Sequence, residues 1–107
     1  MKITEMLRRE WIIEELAALN KRDVLEEMAD SFAKGGIQLD RDAVVHVLLE
    51  RERLGSTGIG DGIAIPHGKI QGIDDIVISF GRSREGIAFE AMDGKPVHLF
   101  FLLVAPD

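Results

Sequence analysis

The 107-residue chain is predicted to fold as an α/β sandwich, because its apolar residues follow a helical period in the first half and a strand period in the second. The run Val97-His98-Leu99-Phe100-Phe101-Leu102-Leu103-Val104 is the most apolar of the chain and reads as a central strand buried on both faces. Helices followed by strands around such a strand disfavour a helical bundle or a closed barrel.

Residues 4–9 are expected to form a short helical turn, and Glu10 to Leu16 fits a strand or a helix equally well. Asn20 then caps a helix with Asp23 three residues on. Val24, Leu25, Met28, Ala29 and Phe32 make its apolar stripe, and Lys34-Gly35-Gly36 stops it. Asp40 caps a second helix carrying Val44, Val45, Val47, Leu48 and Leu49, which runs to Arg53 or Leu54 and ends at Gly55. Strands follow at Ile63-Ala64-Ile65, at Ile76 to Phe80, weakly at Gly86 to Phe89, and at Val97 to Val104, the last preceded by turn residues Met92-Asp93-Gly94-Lys95-Pro96.

No repeat, low-complexity tract or linker divides residues 1–107, so a single soluble domain is expected. A formal net charge of -6 with no long basic run argues against nucleic acid and for protein partners. The absence of cysteine excludes disulfides, thiolate metal sites and thiol catalysis. The start at Met1 lacks a signal peptide, and no apolar stretch approaches the roughly 18–20 residues of a membrane span. No membrane insertion and a cytoplasmic location are expected.

The densest chemical signal is Gly55-Ser56-Thr57-Gly58-Ile59-Gly60-Asp61-Gly62-Ile63-Ala64-Ile65-Pro66-His67-Gly68. Glycines let backbone N–H groups approach an anion, and Pro66 stiffens the chain just before a single imidazole. Known nucleotide templates fail here: there is no lysine for a Walker loop, and Gly58, Gly60 and Gly62 are spaced by two and miss the dinucleotide pattern. His46, His67 and His98 lie 21 and 31 residues apart, which gives no metal-ligand spacing. Neither a cofactor nor a metal is expected.

A neutral imidazole, abundant at cytoplasmic pH, can attack phosphorus and hold the group as a phosphoramidate. Such a transfer depends on positioning and on donors aimed at the equatorial oxygens. The hydroxyls of Ser56 and Thr57 and backbone N–H groups such as that of Gly58 are candidate donors. Arg51 lies three residues after Leu48 and four after Val47, continuing the inward stripe of its helix, whereas Arg53 falls at the edge of that stripe. Arg51 is therefore the candidate phosphate clamp. On these residues alone a second reading stays open, in which His67 is an exposed loop histidine, the glycines only make turns, and the arginines only favour the negative end of the helix dipole.

The segment Leu49 to Gly68, with its Glu50-Arg51-Glu52-Arg53-Leu54-Gly55 lead and its Gly-Ile-Gly-Asp-Gly-Ile-Ala-Ile-Pro-His-Gly core, resembles the active-site signature of the mannitol/fructose-type IIA components of the bacterial phosphoenolpyruvate:sugar phosphotransferase system. Asp93-Gly94-Lys95-Pro96-Val97 and the run to Val104-Ala105-Pro106 fit the same family. The resemblance implies a mixed β-sheet flanked by helices. It implies that His67 accepts phosphate through Nε2 from the phosphocarrier protein, HPr or its nitrogen-type equivalent, and passes it to a IIB component. Arg51 matches the active-site arginine, Asp61 falls where a polar residue orients the histidine, and Ser56, Thr57 and Gly58 lie in the phosphate-side loop. His46 and His98 match no functional position.

Members of the family continue beyond the position of Pro106 with further helices and a second active-site histidine, whereas this chain stops at Asp107. A C-terminal truncation of the family fold is therefore expected. The free-standing nitrogen-regulatory branch is the better match, and in it the phosphorylation state of His67 controls contact with a regulated protein. The competing function is a regulatory binding module without onward transfer, told apart by whether a IIB domain drains the phosphate.

Overall fold

Two capping side chains start the two helices. Asn20 Oδ1 accepts the Asp23 N–H at 2.9 Å and opens α1, Lys21–Lys34. Asp40 Oδ1 accepts the Ala43 N–H at 3.2 Å and opens α2, Arg41–Arg53. The computed structural model describes residues 8–107. The helical turn expected over 4–9 lies mostly outside them. The ambiguous stretch after it resolves into a single 3-10 turn, Arg9–Trp11, and a two-residue strand β1, Ile12–Ile13.

Five more strands follow: β2 (Gly58–Gly60), β3 (Ile63–Ala64), β4 (His67–Ile70), β5 (Val77–Ile87) and β6 (Val97–Pro106). Three differ from the expectation, and one of them, β4, has no strand pattern of its own in the sequence. The glycine run contains a strand of its own, because Gly58 and Gly60 pair with Ala64 and Ile63 in an antiparallel hairpin. The two segments expected at 76–80 and 86–89 are one strand with an irregularity between Arg82 and Ile87. The sheet is mixed. β5 runs antiparallel to β6, while β3 and β4 both run parallel to β6 along its other edge, and β1 closes the far side parallel to β5.

Both helices cover the same face of this sheet. Val24, Leu25, Met28 and Phe32 of α1 and Val44, Val45 and Leu48 of α2 are buried in one cluster with Phe100, Leu102 and Val104 of β6. Trp11 closes one end, its ring edge-on to Phe32 at 5.2 Å and its Nε1–H donated to the Phe32 carbonyl at 3.3 Å. Polar atoms inside the cluster are paired: Ser79 Oγ lies 3.0 Å from Ser31 Oγ and 3.0 Å from the Trp11 carbonyl, joining α1 to β5.

The opposite face carries Leu99, Phe101 and Leu103 of β6 beside Phe80 of β5, with the Phe80 and Phe101 rings 5.1 Å apart. These side chains are only half-buried. β6 is thus central in hydrogen bonding, as expected, but its second face is not buried, because both described helices lie on the first.

Gly68 sits where α2 crosses β4. A Cβ placed there would lie 2.7 Å from Val47 Cγ1, and a β-branched side chain in a packed face has little room to give. Gly68→Ala should therefore destabilise the fold by about 1–3 kcal/mol, measured as a lower urea midpoint with an unchanged slope.

Candidate functional site

The loop that carries His67 is fixed by its backbone. Gly60, Asp61 and Gly62 all have positive φ, at 104°, 55° and 79°, which makes the tight tip of the β2–β3 hairpin. Aspartate tolerates that conformation better than most residues with a Cβ. The Gly62 carbonyl accepts the N–H groups of His98 and Leu99 at 2.8 and 2.9 Å, pinning the tip to the start of β6. Farther along, the Thr57 carbonyl accepts the Ile65 N–H at 3.0 Å and the Pro66 carbonyl accepts the Leu103 N–H at 2.9 Å.

His67 is the first residue of β4, in register with Leu103. Gly68 turns toward Val47 and Leu48 of α2, so His67 projects from the other side, beside the half-buried face of the sheet. The imidazole is exposed, and its Nδ1 lies 2.8 Å from the Ile65 carbonyl oxygen. A carbonyl oxygen only accepts, so Nδ1 carries the hydrogen and the lone pair of the neutral ring is on Nε2.

Arg51 reaches the same end of β4. Asp40, the cap of α2, and Ala43 and Val47 within it share a cleft with Lys69, Ile70 and Gln71, and Val47 and Leu48 lie over Gly68, so α2 runs antiparallel to β4. One further turn carries Arg51 toward His67. Its side chain is half-buried, and Nη1 donates to the Gly55 carbonyl at 2.8 Å. Arg53 is exposed and paired with Glu50 at 2.9 Å. The inward stripe itself ends differently from the expectation: Val44, Val45 and Leu48 are continued by Glu52, which is buried, while Arg51 flanks it.

Glu52 was not singled out by the sequence pattern, yet it organises the loop. Oε1 accepts the Thr57 N–H at 3.1 Å, and Oε2 accepts the Thr57 hydroxyl. Lys21 Nζ lies 3.2 Å from Oε1, 3.3 Å from Glu90 and 4.7 Å from the centre of the Phe89 ring. The available signal was its spacing, four residues after Leu48 on the buried face.

The donors expected from Ser56, Thr57 and Gly58 are thus already engaged. The Thr57 groups serve Glu52, Ser56 Oγ donates to the Phe89 carbonyl at 2.9 Å, and the Gly58 N–H donates to Ser56 Oγ at 3.0 Å. These residues hold the loop's shape. Asp61 is not brought to His67. It lines a cleft of about 270 Å³ with Gly62, Asp93, Lys95, Pro96 and His98, and its N–H donates to Asp93 Oδ2 at 3.1 Å. The role expected for Asp61 in orienting His67 falls instead to the Ile65 carbonyl. His98 is tied to the Ser83 carbonyl at 2.9 Å, and His46 is exposed on α2. Among the described residues no three metal-ligating side chains converge, and no helix is long and apolar enough to cross a membrane.

Residues 5–107 match the family model described as phosphoenolpyruvate-dependent sugar phosphotransferase system, EIIA 2. The chain belongs to that family. This EIIA domain is 45% identical over 107 residues to the nitrogen regulatory protein of Bradyrhizobium diazoefficiens, covering all of this chain and 69% of that protein. It is 42% identical, again over its whole length, to the fructose-specific EIIABC component of Bacillus subtilis, of which it spans 17%. Among solved structures, the nitrogen regulatory protein IIA-Ntr of Neisseria meningitidis superimposes with a TM-score of 0.89 at 38% identity, covering 98% of this EIIA domain and 71% of that chain.

Asp93 anchors the hairpin tip. The N–H groups of Lys95 and Asp61, at 3.0 and 3.1 Å, favour its charged form and lower its pKa from the ordinary aspartate value. A lowered folded-state pKa adds stability that is full above the unfolded-state value and is lost as pH falls through the folded-state value. Asp93→Asn should therefore lower the melting temperature near neutrality, and the gap from the unsubstituted protein should close in acid below the lowered pKa, as read by thermal unfolding across a pH series.

Proposed function

We propose that this EIIA domain is a phosphohistidine carrier, with Nε2 of His67 as the acceptor atom. The observation that supports this most is the hydrogen bond from Nδ1 to the Ile65 carbonyl, which leaves an exposed Nε2 lone pair as the nucleophile. In the transfer, that lone pair forms the new N–P bond. The bond from phosphorus to the donor's leaving group breaks, and its electron pair departs with the leaving group. The donor is the phosphorylated phosphocarrier protein, and the onward acceptor is a IIB component. Arg51 supplies the positive charge: its guanidinium exchanges the single Gly55 carbonyl for the phosphoryl oxygens, a charge-assisted contact worth about 1.5–3 kcal/mol.

A regulatory reading has its own support, since relatives named nitrogen regulatory protein recur among the similar proteins and a IIA-Ntr structure superimposes at 0.89. There the output of phosphorylation is contact with a regulated protein. A IIB domain added to the phosphorylated protein separates the two: loss of label to IIB supports the transport role, and retention supports the regulatory one.

Phosphoenolpyruvate, the general kinase and the phosphocarrier should together give an acid-labile phosphoprotein. His67→Ala should abolish the label with the fold intact by circular dichroism. Phosphate located by mass spectrometry on His46 or His98 would overturn the assignment. Arg51→Gln should slow transfer by roughly tenfold or more, the rate equivalent of the contact it removes, and Arg53→Gln should leave the rate nearly unchanged. Equal effects of the two substitutions in stopped-flow or quench assays would remove Arg51 from the site.

A further inference from the structure

A continuous path of short contacts leads from the interior of the protein to the imidazole. The Glu52 side chain is 3% exposed, and Lys21 at 3.2 Å, itself 17% exposed, compensates its charge. The carboxylate holds Thr57 twice, through N–H and hydroxyl. The Thr57 carbonyl in turn accepts the Ile65 N–H at 3.0 Å, and the Ile65 carbonyl lies 2.8 Å from His67 Nδ1. Each member of the path uses a different atom, so fixing the first orients the last.

We propose that Glu52 is a positioning residue for His67: it sets the place of the Ile65 carbonyl through Thr57, and so selects the tautomer that puts the ring lone pair on Nε2. The proposal rests on the reading of His67 as the phosphoryl acceptor. Three features favour positioning over a merely structural role. Glu52 is carried by α2, which is packed on β4 through Val47, Leu48 and Gly68, so its carboxylate has a rigid base close to the loop. The two Thr57 contacts are divided between the two carboxylate oxygens, which fixes orientation as well as distance. The Ile65 segment sits between Thr57 on one side and β6 on the other, where Pro66 accepts from Leu103, so its carbonyl has little freedom once Thr57 is held.

The test compares Glu52→Ala, Glu52→Gln and Thr57→Val with the unsubstituted protein. It uses two readouts: the ring-nitrogen chemical shifts of His67 in long-range ¹H–¹⁵N spectra, and the rate of phosphorylation by phosphorylated phosphocarrier protein. The unsubstituted protein should show a protonated Nδ1 and an unprotonated Nε2 in its neutral ring. In Glu52→Ala the two nitrogens should move toward averaged, mixed-tautomer values, and phosphorylation should slow by roughly ten- to a hundredfold. Glu52→Gln keeps an acceptor of the same shape for the Thr57 N–H, and it should recover most of both readouts. Thr57→Val keeps the N–H but loses the hydroxyl, and should shift both readouts in the same direction by less.

A folded Glu52→Ala protein with unchanged ring shifts and rate overturns the proposal. If Glu52→Ala does not fold, Thr57→Val decides by the same criterion. The ring shifts need no phosphoryl donor. If they respond as stated while even the unsubstituted protein takes up no phosphate, the path to the imidazole stands and the acceptor reading of His67 falls.

Discussion

The pairing of β6 with its neighbours is the constraint on which the rest of the molecule depends. β5 lies along one edge of it and β3 and β4 along the other, so β6 sets the register of the hairpin tip and of the strand that begins with His67. A slip of one residue in the β4–β6 register would turn His67 toward α2 and Gly68 outward. The close approach of Val47 to Gly68 opposes this, since an imidazole turned toward the helix would run into Val47 at that point. Helix packing and strand register therefore enforce one another, and the imidazole inherits its place from both.

A buried carboxylate beside such a site carries a cost that must be met locally. Glu52 loses water on burial, and Lys21 and the two Thr57 donors replace it. Lys21 is the first residue of α1 and Glu52 the last but one of α2, so the same ion pair also joins the start of one helix to the end of the other. The glycine-rich loop is held to the helical layer in this way. Its mobile-looking composition thus describes the turns the chain must make and not the freedom it keeps.

Much of this was legible in the sequence because the signals were local. Asn20 and Asp40 as caps, the stop at Gly35, the apolar run of β6 and the proline before His67 each act within a few residues, and each appears where composition and spacing put it. What was not legible depended on contacts distant along the chain. β4 is a strand only because β6 lies beside it, since His67-Gly68-Lys69-Ile70 has no strand pattern of its own. The family resemblance put Asp61 beside His67, but the hairpin turn directs its N–H to Asp93, thirty-two residues on. The role of Glu52 stayed hidden because a carboxylate on an apolar stripe looks like an interruption until Lys21 and Thr57 are seen around it.

The hydrogen bond within the Ile65-Pro66-His67 segment also bears on proton movement. In the proposed transfer, the nitrogen that reacts carries no hydrogen and the nitrogen that carries one never reacts. On that reading the phosphorylated ring is an imidazolium whose remaining N–H stays against the Ile65 carbonyl, which stabilises the positive charge by accepting that hydrogen bond. Neither arrival nor departure of the phosphoryl group then requires a proton to change hands. The group can move in either direction without a general acid or base, and the ring remains a ready leaving group throughout. On the proposed reading, a ring that both takes up and gives up a phosphoryl group is well served by a single backbone carbonyl two residues upstream.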